Sequence, residues 1–450
     1  MSQPGEMAPR PSALGAGPFD FDLVIVGGGL IGGSLACALS GLGLKIALVE
    51  AVAAELRAQP SYDERVIALS WGSRRILEAI GLWGAVAADA SPILQVHISD
   101  RGHFGFAHLD RAELGVEALG YVVPARALGL AIRGALTAST DVDVLCPARL
   151  VGRRAGAEGV DLELQTQEGP RALATRLLVA ADGGESATRK ALGVPVEERP
   201  YGHDAIITTL TPERPRPGVA FERFTETGPL ALLPMTQGRY SLVWTCREGE
   251  TPEILGLSDR DFLARLQSRF GHRLGRLSKP AARRAYPLKL LLTRETVGPR
   301  SVLIGNAAHT LHPVAGQGLN LGLRDVAALA EVLADRADQG GDPGSEAVLR
   351  DYTAWRGRDQ QQVAWLTDGL ARLFVNPWLP LRLARGAGLL GLDLMGPARR
   401  ALARRLMGVG GRMPRLARGL PLGPSTGNPA GLQGPRRNGI YPRMKANGRG

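Results

Sequence analysis

The first residues that could do chemistry are three glycines near the amino terminus. Gly27, Gly29 and Gly32 follow a predicted strand at Asp22–Val26 in the G-x-G-x-x-G spacing. Such glycines permit a tight turn, let a pyrophosphate approach the backbone, and let helix and strand pack closely. Glu50 ends the next strand, where a carboxylate can accept hydrogen bonds from ribose hydroxyls. The pattern predicts a dinucleotide site, whereas a glycine-rich turn of an ordinary strand–helix–strand unit leaves Glu50 unexplained.

An acidic turn follows a second predicted strand, Leu177–Ala181. Asp182 and Gly183 come directly after it, and Ser186 and Arg189 follow at helical spacing. An aspartate in this position commonly caps a turn or a helix start. Two interpretations therefore stand at this point, a turn cap and a cofactor ligand.

A third strand, Ser301–Ile304, leads into Gly305 and Asn306, then into Pro313 and the run Gly316–Asn320. Glycines in this run remove side chains from a predicted helix start, so bare amides and the positive end of the helix dipole face a ligand. A reduced flavin carries its negative charge at N1 and C2=O, and this helix start would favour that anion. A plain phosphate would fit it as well.

Two histidines of the third motif are weak candidates for a catalytic role. His309 and His312 could relay a proton beside a bound cofactor, or they could hydrogen-bond the loop backbone. The sequence contains no H-E-x-x-H motif and no metal-ligand spacing, so we expect no metal. We expect the cofactor, and not a side chain, to carry the chemistry.

Length, composition and cysteine usage limit the class of protein. A chain of 450 residues indicates about two to three domains. Cys37, Cys146 and Cys246 are far apart and form no C-x-x-C pair, which argues against a disulfide framework and favours a reducing cytosol. The first residues lack the apolar core of a signal peptide, and no apolar run approaches the ~20 residues of a membrane-spanning helix. We therefore expect a cytoplasmic protein.

The basic charge is concentrated at the carboxyl end. Residues 371–450 contain fifteen Lys or Arg and one acidic residue, Asp393, while the rest of the chain carries a net charge of −3. A nucleic-acid-binding protein would instead spread basic residues over its folded face. Arginines alternate here with Leu, Met and Trp, so residues 371–420 could lie peripherally on the inner face of the cytoplasmic membrane. The alternative is helices packed on the main body.

Motifs at three separated positions make the cofactor domain discontinuous. The runs AIITTL, LALLPM and YSLVW alternate little with helices and predict an antiparallel substrate-binding sheet, to which residues 93–109 add strands. The predicted divisions are a disordered tail at 1–19, the cofactor domain at 20–92, 121–200 and 287–370, the substrate sheet at 93–120 and 201–286, a helical segment at 371–420, and a disordered basic tail at 421–450.

The three motifs, in this order and spacing, resemble the group A FAD-dependent aromatic hydroxylases. The phrases GNAAHTLHPVAGQGLNLGLRD, DERVIALSWGSRRILEAIGLW, GYVVPARAL and ERFTETGPLALLPM look like the ubiquinone-biosynthesis branch, and in particular its 2-polyprenyl-6-methoxyphenol hydroxylase-like members. The resemblance runs from Phe21 to Leu420. It implies an α/β fold with an α+β second domain: a Rossmann-like FAD-binding domain of p-hydroxybenzoate hydroxylase type, an antiparallel-sheet substrate domain and a C-terminal helical segment.

Two positions depart from the family pattern. Asn306 stands where the family usually has Asp, although its amide still offers an acceptor for a ribityl hydroxyl. Ala125 stands where related proteins often have Asn, which weakens the assignment of that segment to the flavin.

The resemblance also implies roles for individual residues. Asp182 matches an aspartate that serves both FAD and transient NAD(P)H binding, and Asn306 matches the ribityl-binding residue. Arg65 and Arg126 match arginines near the cofactor, although either could be an ion-paired surface arginine. The predicted cofactor-binding residues are Gly27, Gly29, Leu30, Ile31, Gly32, Glu50, Arg65, Arg126, Asp182, Gly183, Asn306, Pro313, Gly316, Gln317, Gly318, Leu319 and Asn320.

The implied activity is hydroxylation of the aromatic ring of a polyprenylated phenol in ubiquinone biosynthesis. FAD would be the cofactor, NAD(P)H the transient reductant and O2 the co-substrate, acting through a C4a-hydroperoxyflavin. Implied partners are the phenol, a ubiquinone-biosynthesis complex and the membrane surface, with no nucleic acid. Alternatives are a same-fold flavin reductase or dehydrogenase that inserts no oxygen into its isoprenoid or quinone substrate, a halogenase, whose W-x-W-x-I-P motif is absent, and a non-catalytic subunit that holds a quinone precursor.

Overall fold

The computed structural model describes residues 19–53, 65–102, 105–376 and 378–423. The predicted disordered tails, 1–19 and 421–450, lie outside the described residues except for residues 19 and 421–423. The strands are β1 (Phe21–Val26), β2 (Ile46–Val49), β3 (Val66–Ser70), β4 (Ser91–Ile93), β5 (Gln95–Asp100), β6 (Phe106–Asp110), β7 (Gly120–Pro124), β8 (Val142–Leu145), β9 (Ala148–Ala155), β10 (Val160–Thr166), β11 (Gly169–Ala180), β12 (Val196–Pro212), β13 (Val219–Thr225), β14 (Gly228–Pro234), β15 (Tyr240–Arg247), β16 (Leu277–Ser278), β17 (Arg284–Thr293), β18 (Val297–Gly298), β19 (Ser301–Leu303) and β20 (His309–Thr310). The helices are α1 (Leu30–Leu39), α2 (Trp71–Ala79), α3 (Trp83–Val86), α4 (Arg111–Leu114), α5 (Ala125–Ala138), α6 (Ala187–Ala191), α7 (Thr251–Gly256), α8 (Asp259–Phe270), α9 (Gln317–Asp338), α10 (Glu346–Val375), α11 (Leu379–Leu394) and α12 (Gly396–Leu406).

The first sheet has the central order β18-β19-β11-β1-β2-β8, and β10 and β9 extend it from β11. β19, β11, β1, β2 and β8 run parallel. Alternate residues of β1 face different layers: Leu23 and Ile25 pack with α1, α5 and α9, whereas Val24 packs with residues of β10. Burial on both faces explains why β1 is a nearly continuous apolar run.

The second sheet has the order β20-β17-β12-β15-β14-β13-β5-β6, and β16 pairs with β12. Helix α8 covers one face, where Trp244, Phe262 and Leu266 form a core. The prediction that residues 93–109 add strands is confirmed by β5 and β6. The predicted antiparallel sheet is confirmed, and one pair departs from this pattern, since β5 and β13 run parallel. More than a hundred residues separate them, so a hairpin does not set their direction.

The second sheet also extends beyond its predicted limits. β12 begins at Val196 and β17 continues to Thr293, so both strands reach into the ranges assigned to the cofactor domain. Long pairing between these two strands extends the sheet. β17 then pairs with β20, which lies inside the third motif. This pairing attaches the motif directly to the substrate sheet. A small third sheet, β3-β7-β4, lies beside the start of α9.

The carboxyl-terminal segment packs on the main body. Arg385 of α11 is buried and forms an ion pair with buried Asp100, at 3.1 Å, and Met407 and Leu416 join core clusters. Leu422 is also buried, so the packed body extends into the range predicted as a basic tail. None of the described helices is both long and apolar enough to cross a membrane.

Candidate cofactor and substrate site

Four strand ends bring the three motifs together at one edge of the first sheet. Val26 pairs with Val49 on one side and with Ala180 on the other, and Ala180 pairs with Leu303. The chain leaves each of these strands at the carboxyl edge. Ligands of open α/β sheets bind outside this edge. Tertiary structure therefore places the first motif, Glu50, the acidic turn and the third motif side by side.

The first motif has no room for side chains. Gly27 has φ +106°, and a Cβ atom there would lie 2.5 Å from the carbonyl oxygen of Ala181. A Cβ atom on Gly32 would lie 1.9 Å from the carbonyl oxygen of Gly27. Gly29 precedes α1 without a capping side chain, so the first amides of the helix stay available to an anion. This cradle fits the pyrophosphate of FAD.

Two further glycines of this motif were missed by sequence reasoning. The Gly28 amide donates to Glu50 Oε2 at 2.7 Å, and the Val52 amide donates to Glu50 Oε1 at 2.8 Å. These bonds fix the carboxylate, while its ribose-binding role stays a prediction. A Cβ atom on Gly33 would lie 2.5 Å from Ile132 Cγ2 of α5. The contact partner is about a hundred residues away, so no local pattern reveals it.

Asp182 in the acidic turn acts as a cap, which is one of its two predicted roles. The Asp182 carboxylate accepts hydrogen bonds from the Ser186 hydroxyl and from the Thr188 amide, the latter at 3.0 Å. Arg189 is buried and donates to the carbonyl oxygens of Gly184, at 2.8 Å, and Ala307, at 2.9 Å. Arg189 thus ties the second motif to the third. A role of Asp182 and Gly183 toward FAD or NAD(P)H stays a prediction.

Ile31 joins the first motif to the third. A Cβ atom on Gly305, which has φ +58°, would lie 3.0 Å from Ile31 Cγ2, and one on Gly322 would lie 2.7 Å from Ile31 Cδ1. Leu30 packs against the main core. Asn306 is exposed at the same edge, where its amide is open to a ligand. Ile31 therefore has a packing role in addition to its predicted contact with the cofactor.

Side chains of α9 shape the loop that precedes this helix. Ala315 and Gly316 both adopt positive φ, 57° and 60°, which costs an alanine about 1–2 kcal/mol. The Asn320 side chain holds this turn: its Oδ1 accepts from the Ser70 amide at 2.8 Å, and its Nδ2 donates to the Ala68 and Gly316 carbonyl oxygens. Gln317 donates to the Ala315 carbonyl oxygen at 3.0 Å. Both were predicted as cofactor ligands, and in the structure both amides bind backbone.

The remaining positions of this loop differ in their surroundings. A Cβ atom on Gly318 would meet no atom of the described residues within 4 Å, so this face of the helix start is open. Leu319 packs partly against the main core. Pro313 precedes the turn in the right-handed helical region. The start of α9 carries no capping side chain, so its amides are open to an anionic group, and its contact with the flavin stays a prediction.

A buried charge network lies about two turns beyond this helix start, and the sequence analysis did not identify it. The Asp325 carboxylate accepts from His309 Nε2 at 2.6 Å, Gly305 N at 3.2 Å, Arg356 Nε at 2.9 Å and Gln360 Nε2 at 3.0 Å. Burial raises the pKa of Asp325, but the charges of His309 and Arg356 and the hydrogen bonds from His309 and Gln360 place it below its usual range. The one sequence signal was an acidic residue in an otherwise apolar helix face.

The two histidines have different environments. His309 is held by Asp325, which supports a structural role for it. His312 is buried, and its Nδ1 accepts from the Val314 amide at 3.1 Å. The pKa of His312 is lowered to about 4, mainly by burial and also by His203, while Asp368 raises it in part. His312 is therefore neutral at pH 7, with its proton on Nε2.

A cavity of about 300 Å³ opens beside His312, between the second sheet and α10, and is lined by Tyr201, His203, Thr245, His312, Ala371, Arg372 and Asn376. The Tyr201 hydroxyl donates to Asp368 Oδ1 at 2.9 Å. A larger cavity of about 780 Å³ lies beside Arg300 and Leu349. It sits at the amino end of β19, opposite the motif edge, so the smaller cavity is the one associated with the site.

The two predicted arginines lie at different places. The Arg65 carbonyl oxygen accepts from the Ala125 amide at 2.8 Å, and its guanidinium carbon lies 5.0 Å from the ring centre of Tyr286. This contact joins the start of β3 to β17 of the second sheet. Arg126 is exposed in the first turn of α5. Their roles toward the cofactor stay predictions.

Both the sequence and the fold are similar to those of known proteins. Residues 20–366 match the family model described as FAD binding domain. The chain is 40% identical over 404 residues to ubiquinone hydroxylase UbiL of Rhodospirillum rubrum, covering 89% of this chain and 93% of that protein. It is 32% identical over 392 residues to the 3-demethoxyubiquinol 3-hydroxylase of Escherichia coli, covering 86% and 98%. Among solved structures, p-nitrophenol 4-monooxygenase PnpA of Pseudomonas putida has a similar fold, with a TM-score of 0.71, 18% identity and coverage of 87% and 99%.

Proposed function

Because this chain belongs to the family of FAD-dependent aromatic hydroxylases of ubiquinone biosynthesis, we propose that it hydroxylates the ring of a polyprenylated phenol on that pathway. NAD(P)H is the reductant and O2 the co-substrate. The observation that carries the proposal is the meeting of three motifs at one sheet edge, with β20 of the third motif paired to the second sheet. A cofactor at this edge would lie against the substrate sheet.

The chain's own residues divide the work of holding FAD. The start of α1 would bind the pyrophosphate, Glu50 the ribose, and the start of α9 the polar edge of the flavin ring. When bound, FAD supplies electron transfer from NAD(P)H to O2 and oxygen transfer to the substrate ring. The buried loop from His312 to Gln317 and the apolar sheet face would limit the access of water to this region, which such chemistry requires.

Oxygen incorporation is the test of this function. Purified protein with FAD, NAD(P)H and 18O2 should convert a short-chain 2-prenyl-6-methoxyphenol into a product that carries one 18O atom on the ring. The same reaction under 16O2, and one without NAD(P)H, are the controls. Oxidation of NAD(P)H with a reduced prenyl or quinone product and no ring 18O would contradict hydroxylation and support the reductase alternative.

We also propose that α11 contacts an anionic membrane surface at the inner face of the cytoplasmic membrane, where a prenylated substrate would lie. Leu383, Leu390 and Leu394 are spaced by seven and four residues, so they share one side of the helix. Leu383 is 68% exposed and Leu394 75% exposed. Arg400 and Arg404 of α12 are exposed nearby in sequence. Exposed apolar residues with neighbouring arginines are suited to an interfacial helix.

Flotation with vesicles containing phosphatidylglycerol tests this contact. The double variant Leu383→Glu/Leu394→Glu should lose most of its vesicle association, because two charges would enter the acyl boundary. Val151→Glu is the matched control, since Val151 is 61% exposed and lies on β9 of the first sheet, away from α11 in sequence. Unchanged flotation of the double variant would contradict the membrane proposal. If the double variant floats with vesicles as the natural protein does but no longer binds ubiquinone-biosynthesis proteins, this surface is a contact within a protein complex instead.

A further inference from the structure

Glu222 of β13 lies on the side of the second sheet that faces the cofactor motifs. Side chains alternate along a strand. Phe221 belongs to the core beneath α8, whereas Ala220 and Phe224 pack on the opposite side, Phe224 together with Val314 of the third motif. Glu222 lies between these two and shares their side. A carboxyl group is therefore placed on the sheet face that the substrate would meet.

The immediate surroundings of this carboxyl group are largely apolar. Its strand neighbours in register are Ile98 and Ala231. Glu222 retains accessible surface, yet its pKa is raised to about 7, because burial raises it by more than a backbone hydrogen bond from Ala315 lowers it. Burying an ionisable group at this cost calls for a partner or a function.

Charged or titratable groups on the surrounding elements have partners of their own. Asp100 of β5 and Arg385 of α11 form an ion pair at 3.1 Å. His312 on the loop accepts from Val314 and is neutral at pH 7. Strand β14, on the other side of β13, carries no charged residue.

The backbone hydrogen bond from Ala315 occupies one of the acceptor sites of the Glu222 carboxylate. A carboxylate has two oxygens and about four acceptor sites, so at least one oxygen can accept from a group in the cleft. Ala315 belongs to the positive-φ turn before α9, which would lie against the flavin ring. The carboxyl group is thus next to the position where cofactor and substrate would meet.

We propose that Glu222 contacts the substrate: its carboxylate accepts the hydrogen bond of the phenol hydroxyl and takes that proton during hydroxylation. The inference rests on the proposed function. The phenol O–H bond breaks, its electron pair stays on the phenol oxygen, and a new O–H bond forms on the carboxylate, giving a phenolate and a carboxylic acid. The phenolate ring is more electron-rich and accepts oxygen more readily. The proton leaves to water with product release, and the oxygen and electrons come from O2 and NAD(P)H.

A chromophoric phenol tests the contact without turnover. The probe is 2-methoxy-4-nitrophenol, whose phenolate absorbs visible light, bound to FAD-loaded protein without reductant. A carboxylate in contact with the phenol disfavours a second negative charge, so the apparent pKa of the bound probe should be about one unit higher in the natural protein than in Glu222→Gln. Equal probe titration in both proteins would overturn the proposal.

Glu226→Gln is the matched control, because Glu226 lies in the turn that follows β13, the strand of Glu222. Glu226 is exposed and pairs with Arg101 at 3.0 Å and Arg269 at 2.8 Å. This variant should titrate the probe as the natural protein does. A probe shift in Glu226→Gln equal to that in Glu222→Gln would count against a direct contact, because it would reflect net charge alone.

Turnover gives the second readout. Glu222→Gln should keep its FAD and oxidise NAD(P)H, yet form product about 100-fold more slowly and release H2O2. The product rate of the natural protein should rise through pH 7, and this dependence should vanish in the variant. Loss of FAD from Glu222→Gln would overturn the proposal, because the residue would then serve only to hold the Ala315 turn. If the natural protein forms no hydroxylated product, the proposed function fails, while the probe titration still decides the contact.

Discussion

The two helix starts that would hold the ends of FAD are built in different ways. The start of α1 is held by the absence of side chains, because Gly27 and Gly32 let backbone meet backbone. The start of α9 is held by buried polar side chains, with Asn320 bound to Ser70 and Ala68, and Asp325 bound to Arg356. The first arrangement tolerates no added atom. The second leaves open space at the helix start and anchors it from about one and two turns further along the helix.

This difference predicts which kind of substitution each region tolerates. At α1 a single added methyl group should disturb the fold, because backbone lies directly against backbone there. At α9 an added methyl group should leave the fold intact and interfere with the ligand, whereas removal of the buried charge should disturb the fold. Four experiments test this contrast, from the largest expected effect to the smallest.

Removal of the buried carboxylate should have the largest effect. Asp325→Ala removes a buried carboxylate that pairs with His309 and Arg356 and leaves Arg356 with Asp359 alone, and breaking a buried pair costs about 3–5 kcal/mol. The free energy of unfolding, measured by urea denaturation of the FAD-free protein, should fall by this amount. Asp335→Ala on the same helix is the control, since that ion pair with Arg415 is exposed and contributes about 0–1 kcal/mol. An equal decrease in the free energy of unfolding in both variants would contradict the difference between the two helix starts.

Adding one methyl group to the α1 start should come second. In Gly32→Ala the new Cβ atom would lie 1.9 Å from the Gly27 carbonyl oxygen, and overpacking of this kind costs about 1–3 kcal/mol. Gly134→Ala in α5 is the matched control, because its Cβ atom would meet nothing within 4 Å in the described structure. That change should stabilise the protein by up to about 1 kcal/mol. A Gly32→Ala protein as stable as the natural one would show that the α1 start can relax.

Acid should destabilise the protein through His312, which lies in the loop before α9. Burial holds the pKa of His312 at about 4, below the value of about 6.5 in an unfolded chain. The unfolded state then binds the proton more tightly, so stability is complete above about pH 6.5 and falls as the pH decreases toward 4. Between pH 7 and 5 the loss should be about 1–2 kcal/mol. In His312→Asn, urea denaturation at the two pH values should show a smaller difference; an identical difference would exclude His312 as the cause.

A methyl group at the α9 start should have the smallest effect on the fold. Gly318→Ala places its Cβ atom in open space, so the stability of the FAD-free protein should change by less than about 1 kcal/mol. The increase of Tm on adding FAD should nevertheless shrink, because the methyl group would occupy the cofactor's side of the helix start. A full FAD-dependent increase of Tm in Gly318→Ala would place the flavin elsewhere.

Several sequence predictions are confirmed, and the reason is that they depended on short-range patterns. The family, the fold class and FAD follow from glycines and strand ends that are neighbours in sequence or recur in fixed order. The parallel pairing of β5 and β13 within the second sheet was not predicted, because strand direction across a long separation is not a local property. The roles of the individual cofactor-binding residues stay predictions.

The sequence by itself determined the first motif, because G-x-G-x-x-G demands a backbone approach that only glycine permits. It also indicated the uncapped start of α9 and the basic, apolar carboxyl-terminal segment. Only the tertiary structure decided that Arg189 binds the carbonyl oxygen of Ala307, that Asn320 holds a strand 250 residues away, and that Glu222 faces the third motif. Each of these depends on a partner far along the chain. Polar side chains take their role from the groups that folding brings within hydrogen-bond distance, and no local spacing encodes that partner.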